Sequence, residues 1–150
     1  MGRSLSFTLL KWLIRWQFPS VPRLTTVQLA QTLEKSDLVL LDARTEEEYA
    51  VSHLDRAQLI SPNSDGTLPE SLREIAKDAP IVVYCSVGYR SAKAAQQIMQ
   101  AGFCQVFNLE GGLFEWANEG RSMVRDGQPT SSVHPYNATW GKLVNDRANQ

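Results

Sequence analysis

Two short runs constrain this chain more than any other feature: LVLLDAR (Leu38 to Arg44) and PIVVYC (Pro80 to Cys85). Each is apolar on consecutive residues rather than alternate ones, the pattern of a strand buried on both faces. Each then passes into a stretch with helical spacing. Strands covered on both sides need helices above and below, and parallel neighbours need a crossover between them. The rest of the chain supplies those parts. TTVQLAQTLEKS places Leu29 and Leu33 four apart behind a cap at Thr25 or Thr26, and TEEEYAVSHL begins on a cap at Thr45 with acids in its first turn. AQLI is a short strand, Ser61–Gly66 a turn-rich loop, and LPESLREIAKD a helix with Leu68, Leu72, Ile75 and Ala76 on one face. RSAKAAQQIMQAG turns Ala92, Ala95, Ile98 and Met99 inward and ends at Gly102. CQVFNLEGG gives another strand, and GLFEWANEG a last helix stopped by Gly120. The alternation predicts an α/β fold with a mainly parallel central sheet flanked by helices on both faces.

Around this unit, residues 23–122, lie two segments of different texture. Residues 123–150 are polar, contain Pro129 and Pro135, and show no sustained period, so a loosely ordered extension is expected; Tyr136, Trp140 and Leu143 are its candidates for docking, and Asn137 opens a glycosylation sequon. Residues 1–22 are apolar from Leu5 to Phe18, interrupted by Lys11 and Arg15. That is too short and too charged to span a bilayer and lacks the small-residue cleavage site of a signal peptide. On a helical wheel Ser4, Thr8, Lys11 and Arg15 form a narrow polar stripe, leaving Leu9, Trp12, Leu13, Trp16 and Phe18 on a wide apolar remainder. Two placements fit: a peripheral contact with a membrane or partner through residues 5–18, and packing against the chain's own domain.

Composition removes several function classes. The chain has 150 residues, 43% hydrophobic and 21% charged, with a formal net charge of −1. It is long enough for one core, is expected to be soluble, and has no basic excess to suit nucleic acid. Cys85 and Cys104 are too few for a disulfide framework, which favours a reducing, cytoplasmic setting. With His53 and His134 far from both cysteines in sequence, no metal site is expected.

Chemistry concentrates at CSVGYRS. In an open α/β sheet the ligand rim lies beyond the carboxyl ends of the strands, and Cys85 ends one. A helix starting near Arg90 or Ser91 points its free N–H groups back at the loop. If Ser86, Val87, Gly88, Tyr89 and Arg90 curl around the sulfur, their N–H groups form an anion cradle, with Gly88 allowing the turn. Arg90 adds a charge and a planar donor fork for an anionic substrate. Each feature favours the thiolate over the thiol, so Cys85 is the candidate nucleophile rather than a buried structural cysteine. Tyr89 and Val87 either line the pocket mouth or pack. Asp42 and Arg44, at the end of the neighbouring strand, are supporting candidates: Arg44 either supplies a second charge or pairs with Glu48 four residues on, and the structural role is favoured for both. Cys104 is expected in the core, His53 in a turn or core hydrogen bond, and Trp116 as a core anchor.

CSVGYRS resembles the active-site loop of the rhodanese-like sulfurtransferases, a cysteine and an arginine four residues apart followed by Ser or Thr, here Ser91. LLDARTEEEYAVSHLDRA resembles the family's Asp-x-Arg, Glu-Tyr/Phe and Gly-His-Ile-x-Gly-Ala signature, and GFCQVFNLEGGLFEWANEG its closing Gly-Gly and Trp segment. Ser52 and Arg56 stand where the family usually has glycines, so this turn is expected to differ or carry strain. The resemblance implies sulfane sulfur transfer from thiosulfate or a persulfide to cyanide, a small thiol or a protein cysteine, through a persulfide on Cys85 with no cofactor. A loop one residue longer marks related cysteine phosphatases and arsenate reductases; the shorter ring here suits a single sulfur atom better than a tetrahedral oxyanion. A sulfur-relay or partner-binding module with little turnover is the competing class.

Overall fold

The computed structural model describes residues 2–134 apart from positions 36, 62, 64 and 66, with side chains from residue 7 onward. Tyr136, Trp140, Leu143 and the Asn137 sequon lie outside the described residues, as does the Ser4 side chain. Five parallel strands form the sheet in the order β1 (Arg23–Leu24), β5 (Val106–Leu109), β4 (Ile81–Tyr84), β2 (Val39–Asp42) and β3 (Gln58–Leu59). The central strands are the two apolar runs. In β4 all four residues are buried, and alternate side chains feed two clusters. Val82 and Tyr84 join Leu40, Leu29 of α2 (Thr26–Lys35) and Leu113, Phe114 and Trp116 of α5 (Gly112–Asn118). Ile81 and Val83 join Leu41 and, from α4 (Tyr89–Gln100), Ala92, Ala95 and Ile98. The α/β sheet with helices on both faces is therefore present as expected.

Thr45 caps α3 (Glu46–Val51): its hydroxyl accepts from the Glu48 N–H while the Glu48 carboxylate accepts from the Thr45 N–H. The helix anticipated over LPESLREIAKD contracts to a 3-10 helix at Glu70–Glu74 that ends on extended backbone at Ile75. Its only buried residue is Leu72, so little apolar burial supports a longer helix there.

The C-terminal flank departs from the sequence reading, and the N-terminal flank takes one of the two placements expected of it. Residues 123–130 form an antiparallel hairpin, β6 (Met123–Arg125) and β7 (Gln128–Thr130), tied back by an isolated bridge between Val124 and His53, and Met123 and Val133 are buried. The N-terminal segment is a helix, α1 (Gly2–Gln17), packed on the domain. Phe7, Ile14 and Phe18 are buried in the two clusters. The cations of its polar stripe face the domain: Lys11 pairs with Glu115 at 2.5 Å and Arg15 with Glu110 at 2.6 Å. Leu9, Trp12, Leu13 and Trp16 face outward, 54–81% exposed. The helix thus has two apolar faces, one covered and one open. Among the described residues no helix is long and apolar enough to cross a membrane.

Candidate active site

Strand β4 delivers Cys85 to the carboxyl rim, and α4 begins at Tyr89. Between them Gly88 adopts φ +112°, a left-handed conformation that serves as the N-cap of α4 and turns its N–H onto the sulfur. The Gly88 N–H lies 3.1 Å from Cys85 Sγ, and the Ser91 hydroxyl lies 3.4 Å from it. The first turn of α4 stands behind the same atom, adding the positive end of a helix. Cys85, Ser86, Val87 and Ser91 are all buried, whereas Tyr89 stands at the rim, 42% exposed.

The loop is held from outside by the Gly-Gly turn. The N–H groups of Leu113 and Phe114 donate to the carbonyls of Cys85 and Ser86 at 2.9 and 3.0 Å. Those bonds draw the loop carbonyls toward α5 and away from the sulfur. Gly112 is required for that approach: a Cβ there would stand 2.5 Å from the Ser86 oxygen and 2.7 Å from the Cys85 oxygen.

Arg90 has a carboxylate partner that the sequence did not point to. Its fork is bidentate to Glu48, at 2.7 and 2.8 Å, and it also donates to Ser86 Oγ at 3.0 Å, while the Ser86 hydroxyl donates to Glu48 at 3.0 Å. Burial alone would raise the Glu48 pKa, but the hydrogen bonds and charge of Arg90, the Thr45 N–H and the Arg44 charge together bring it down to about 2. Glu48 therefore balances the Arg90 charge. The expected Arg44–Glu48 pair is replaced by a fully buried bidentate Arg44–Asp42 pair at 2.9 and 2.7 Å, with Arg44 also donating to the Ser52 carbonyl at 2.7 Å. Arg44 precedes the helix, so helical i,i+4 spacing does not govern it. The structural role expected of Asp42 and Arg44 fits this geometry, which closes the rim end of β2 onto the turn after α3.

Cys104 is exposed rather than in the core, its thiol donating to the Lys77 carbonyl at 3.4 Å, and it precedes β5 at the opposite end of the sheet from Cys85. His53 stacks on Tyr49 and hydrogen-bonds its carbonyl at 3.0 Å, and Trp116 is buried with Nε1 donating to the Ser122 carbonyl at 2.9 Å. Among the described residues no group of His, Cys, Asp and Glu is placed to hold a metal ion.

A sequence model of the rhodanese-like domain matches residues 25–119. This chain belongs to the rhodanese-like domain family.

Some of its relatives carry sulfur-transfer names and others are named tRNA uridine(34) hydroxylases. A sulfurtransferase of Allochromatium vinosum is 34% identical over 105 residues, covering 69% of this chain and 95% of that protein. A probable adenylyltransferase/sulfurtransferase, MoeZ, of Mycobacterium tuberculosis is 39% identical over 82 residues, 55% of this chain but 21% of that protein. The chain thus spans about a fifth of the length of that larger relative. Among solved structures, a rhodanese-like domain protein of Staphylococcus aureus aligns at TM-score 0.61 and 29% identity, covering 71% of this chain and 99% of the other.

Within this rhodanese-like domain two polar residues take roles that the sequence reading did not give them. Glu48, read as a partner for Arg44, carries the ion pair to the loop arginine instead. Asn108 sits in the middle of β5, 3% exposed, with its amide on Gly88 and Ser91. A polar residue inside an otherwise apolar strand was the available signal, since a buried amide needs partners.

Proposed function

We propose that this rhodanese-like domain moves a sulfane sulfur from a donor to a nucleophilic acceptor through a persulfide on Cys85. The observation that carries the reading is the Sγ environment: a backbone N–H at 3.1 Å, a hydroxyl at 3.4 Å and a helix N-terminus behind. These groups stabilise a small anion at the sulfur without a metal or cofactor. With a persulfide donor, the Cys85 thiolate attacks the outer sulfur, a new S–S bond forms, and the donor's S–S bond breaks to release its thiolate. An acceptor thiolate or cyanide then attacks the outer sulfur on Cys85 and restores the Cys85 thiolate. Neither step needs an outside oxidant or reductant, and the two halves follow ping-pong order.

The charge balance bears on the donor. Arg90 is neutralised by Glu48 and Arg44 by Asp42, so the loop offers the sulfur the Gly88 N–H and the Ser91 hydroxyl rather than a surplus cation. A persulfide carrying one negative charge suits that balance better than the thiosulfate dianion. Cys85 is therefore expected to gain about 32 Da, one sulfur, on exposure to a small-molecule persulfide, faster than on exposure to equal thiosulfate, and Cys85→Ser to gain none. No gain with either donor, read by intact mass, would refute sulfur transfer; faster loading from thiosulfate would refute the donor assignment alone.

A peripheral membrane contact is supported by the four outward side chains of α1, two of them tryptophans. Because Lys11 and Arg15 are spent on Glu115 and Glu110, the contact would be driven by apolar insertion rather than by anionic lipid. Neutral and anionic vesicles should then float the protein alike, and Trp12→Gln with Trp16→Gln should abolish flotation. Absence of flotation with either vesicle would remove this reading.

A further inference from the structure

Asn108 stands behind the reacting loop with both ends of its amide engaged. Nδ2 donates to the Gly88 carbonyl at 3.0 Å, and Oδ1 accepts from Ser91 Oγ at 2.6 Å. The orientation follows from chemistry: a backbone carbonyl can only accept, so the amide nitrogen faces Gly88 and the oxygen faces the hydroxyl. Ser91 is fully buried. Its hydroxyl has a single proton and two acceptors within reach, Asn108 Oδ1 at 2.6 Å and Cys85 Sγ at 3.4 Å. The nearer one holds it.

What the sulfur needs from Ser91 changes with its state. A protonated thiol is itself a weak donor and can face a lone pair of the Ser91 oxygen. A thiolate or a persulfide anion only accepts, and in a buried site the loss of a donor is costly. We propose that Asn108 is a positioning residue that tunes Cys85 through Ser91: its Oδ1 keeps the hydroxyl proton while the sulfur is protonated and yields it to the sulfur when the sulfur becomes an anion. The only movement required is rotation of one O–H bond; no covalent bond forms or breaks. The proposal rests on the sulfur-transfer reading only in taking Cys85 as the reacting atom.

The other arm of the amide does not supply this effect. The Gly88 carbonyl also accepts the Ala92 N–H at 3.1 Å, in the first turn of α4, so it keeps a partner when Asn108 is removed. Asn108 therefore acts on the sulfur chiefly by competing for the Ser91 proton, and removing it should ease ionisation rather than hinder it.

The test is the pH profile of iodoacetamide alkylation at Cys85, followed by intact mass in full-length protein carrying Cys104→Ser. Asn108→Ala should lower the pH midpoint by about half a unit, seen as roughly threefold faster alkylation below the midpoint. Ser91→Ala should raise the midpoint, and in that background Asn108→Ala should add no further change. Asn108→Val, which suits a strand and fills more of the space, carries the same expectation and covers the case in which the alanine variant fails to fold. An unchanged or raised midpoint in the Asn108 variants, or an equal shift with and without Ser91, would overturn the proposal. Alkylation needs no sulfur donor, so failure here and failure of persulfide loading appear in separate assays.

Discussion

Glu48→Gln tests the electrostatic anchoring of the loop with almost no change of shape. The carboxylate is 1% exposed and accepts both Arg90 nitrogens, the Ser86 hydroxyl and the Thr45 N–H. Its pKa falls from an ordinary 4.5 to about 2, and at about 1.4 kcal/mol per pH unit that fall corresponds to about 3 kcal/mol of folding stability. The sign follows from the direction. A carboxylate with a folded-state pKa below its unfolded value contributes fully at neutral pH. The contribution starts to fade as pH drops past 4.5 and is gone once pH has fallen through about 2. Glutamine keeps the volume but turns amide protons toward the Arg90 donors and leaves a part-buried cation unbalanced.

Urea melts at pH 7 should therefore place Glu48→Gln about 3 kcal/mol below the parent, and the gap should shrink to under half by about pH 3. A gap that stays constant between those pH values would show that the ionised Glu48 is not its source. A gap below about 1 kcal/mol at pH 7 would show that Arg90 finds water or another partner at no cost. The same variant bears on the donor, because it leaves Arg90 as a surplus cation at the loop: the rate of persulfide loading from thiosulfate, corrected for folded fraction, should rise relative to loading from a persulfide.

Three further changes probe the surroundings. Asp42→Asn leaves the buried Arg44 guanidinium without its counter-ion, and should cost about 3–5 kcal/mol in urea melts; a loss under about 1 kcal/mol would contradict a load on that pair. Gly112→Ala places a Cβ against the Cys85 and Ser86 carbonyls at φ +61°, and should cost about 1–3 kcal/mol from strain alone and slow persulfide loading at Cys85, whereas unchanged loading would separate the Gly-Gly turn from the cradle. Arg56→Gly relieves a non-glycine residue at φ +70° whose side chain is more than half exposed, and should raise stability by about 1 kcal/mol, with an unchanged melting temperature counting against strain at that turn.

What the sequence showed and what it hid divide along a physical line. The strands were visible because Leu38–Asp42 and Ile81–Tyr84 are apolar on both faces, and the loop because a strand end, a glycine and a helix start fall within six residues, Cys85 to Arg90. Backbone requirements were half legible. Of the two positions where the family usually has glycine, Arg56 does carry a positive φ, but Ser52 sits at φ −171°, extended backbone that any residue adopts. Polar pairings were legible only when local. The capping box at Thr45 and Glu48 is a four-residue pattern, whereas Arg90 to Glu48 spans 42 positions, Arg15 to Glu110 spans 95 and Lys11 to Glu115 spans 104. A helical wheel located the cations of α1 but not the side from which their partners would come, so the stripe pointed equally well to water, lipid or protein. Arg44 shows a different limit: it precedes α3, so the helical spacing to Glu48 does not apply, and its partner is Asp42, two residues back on the strand. Seven residues, Cys85 to Ser91, thus sufficed to single out the candidate sulfur, while the ion pairs of Arg90 and Arg44 depended on Glu48 and Asp42, residues on other elements brought together by the fold.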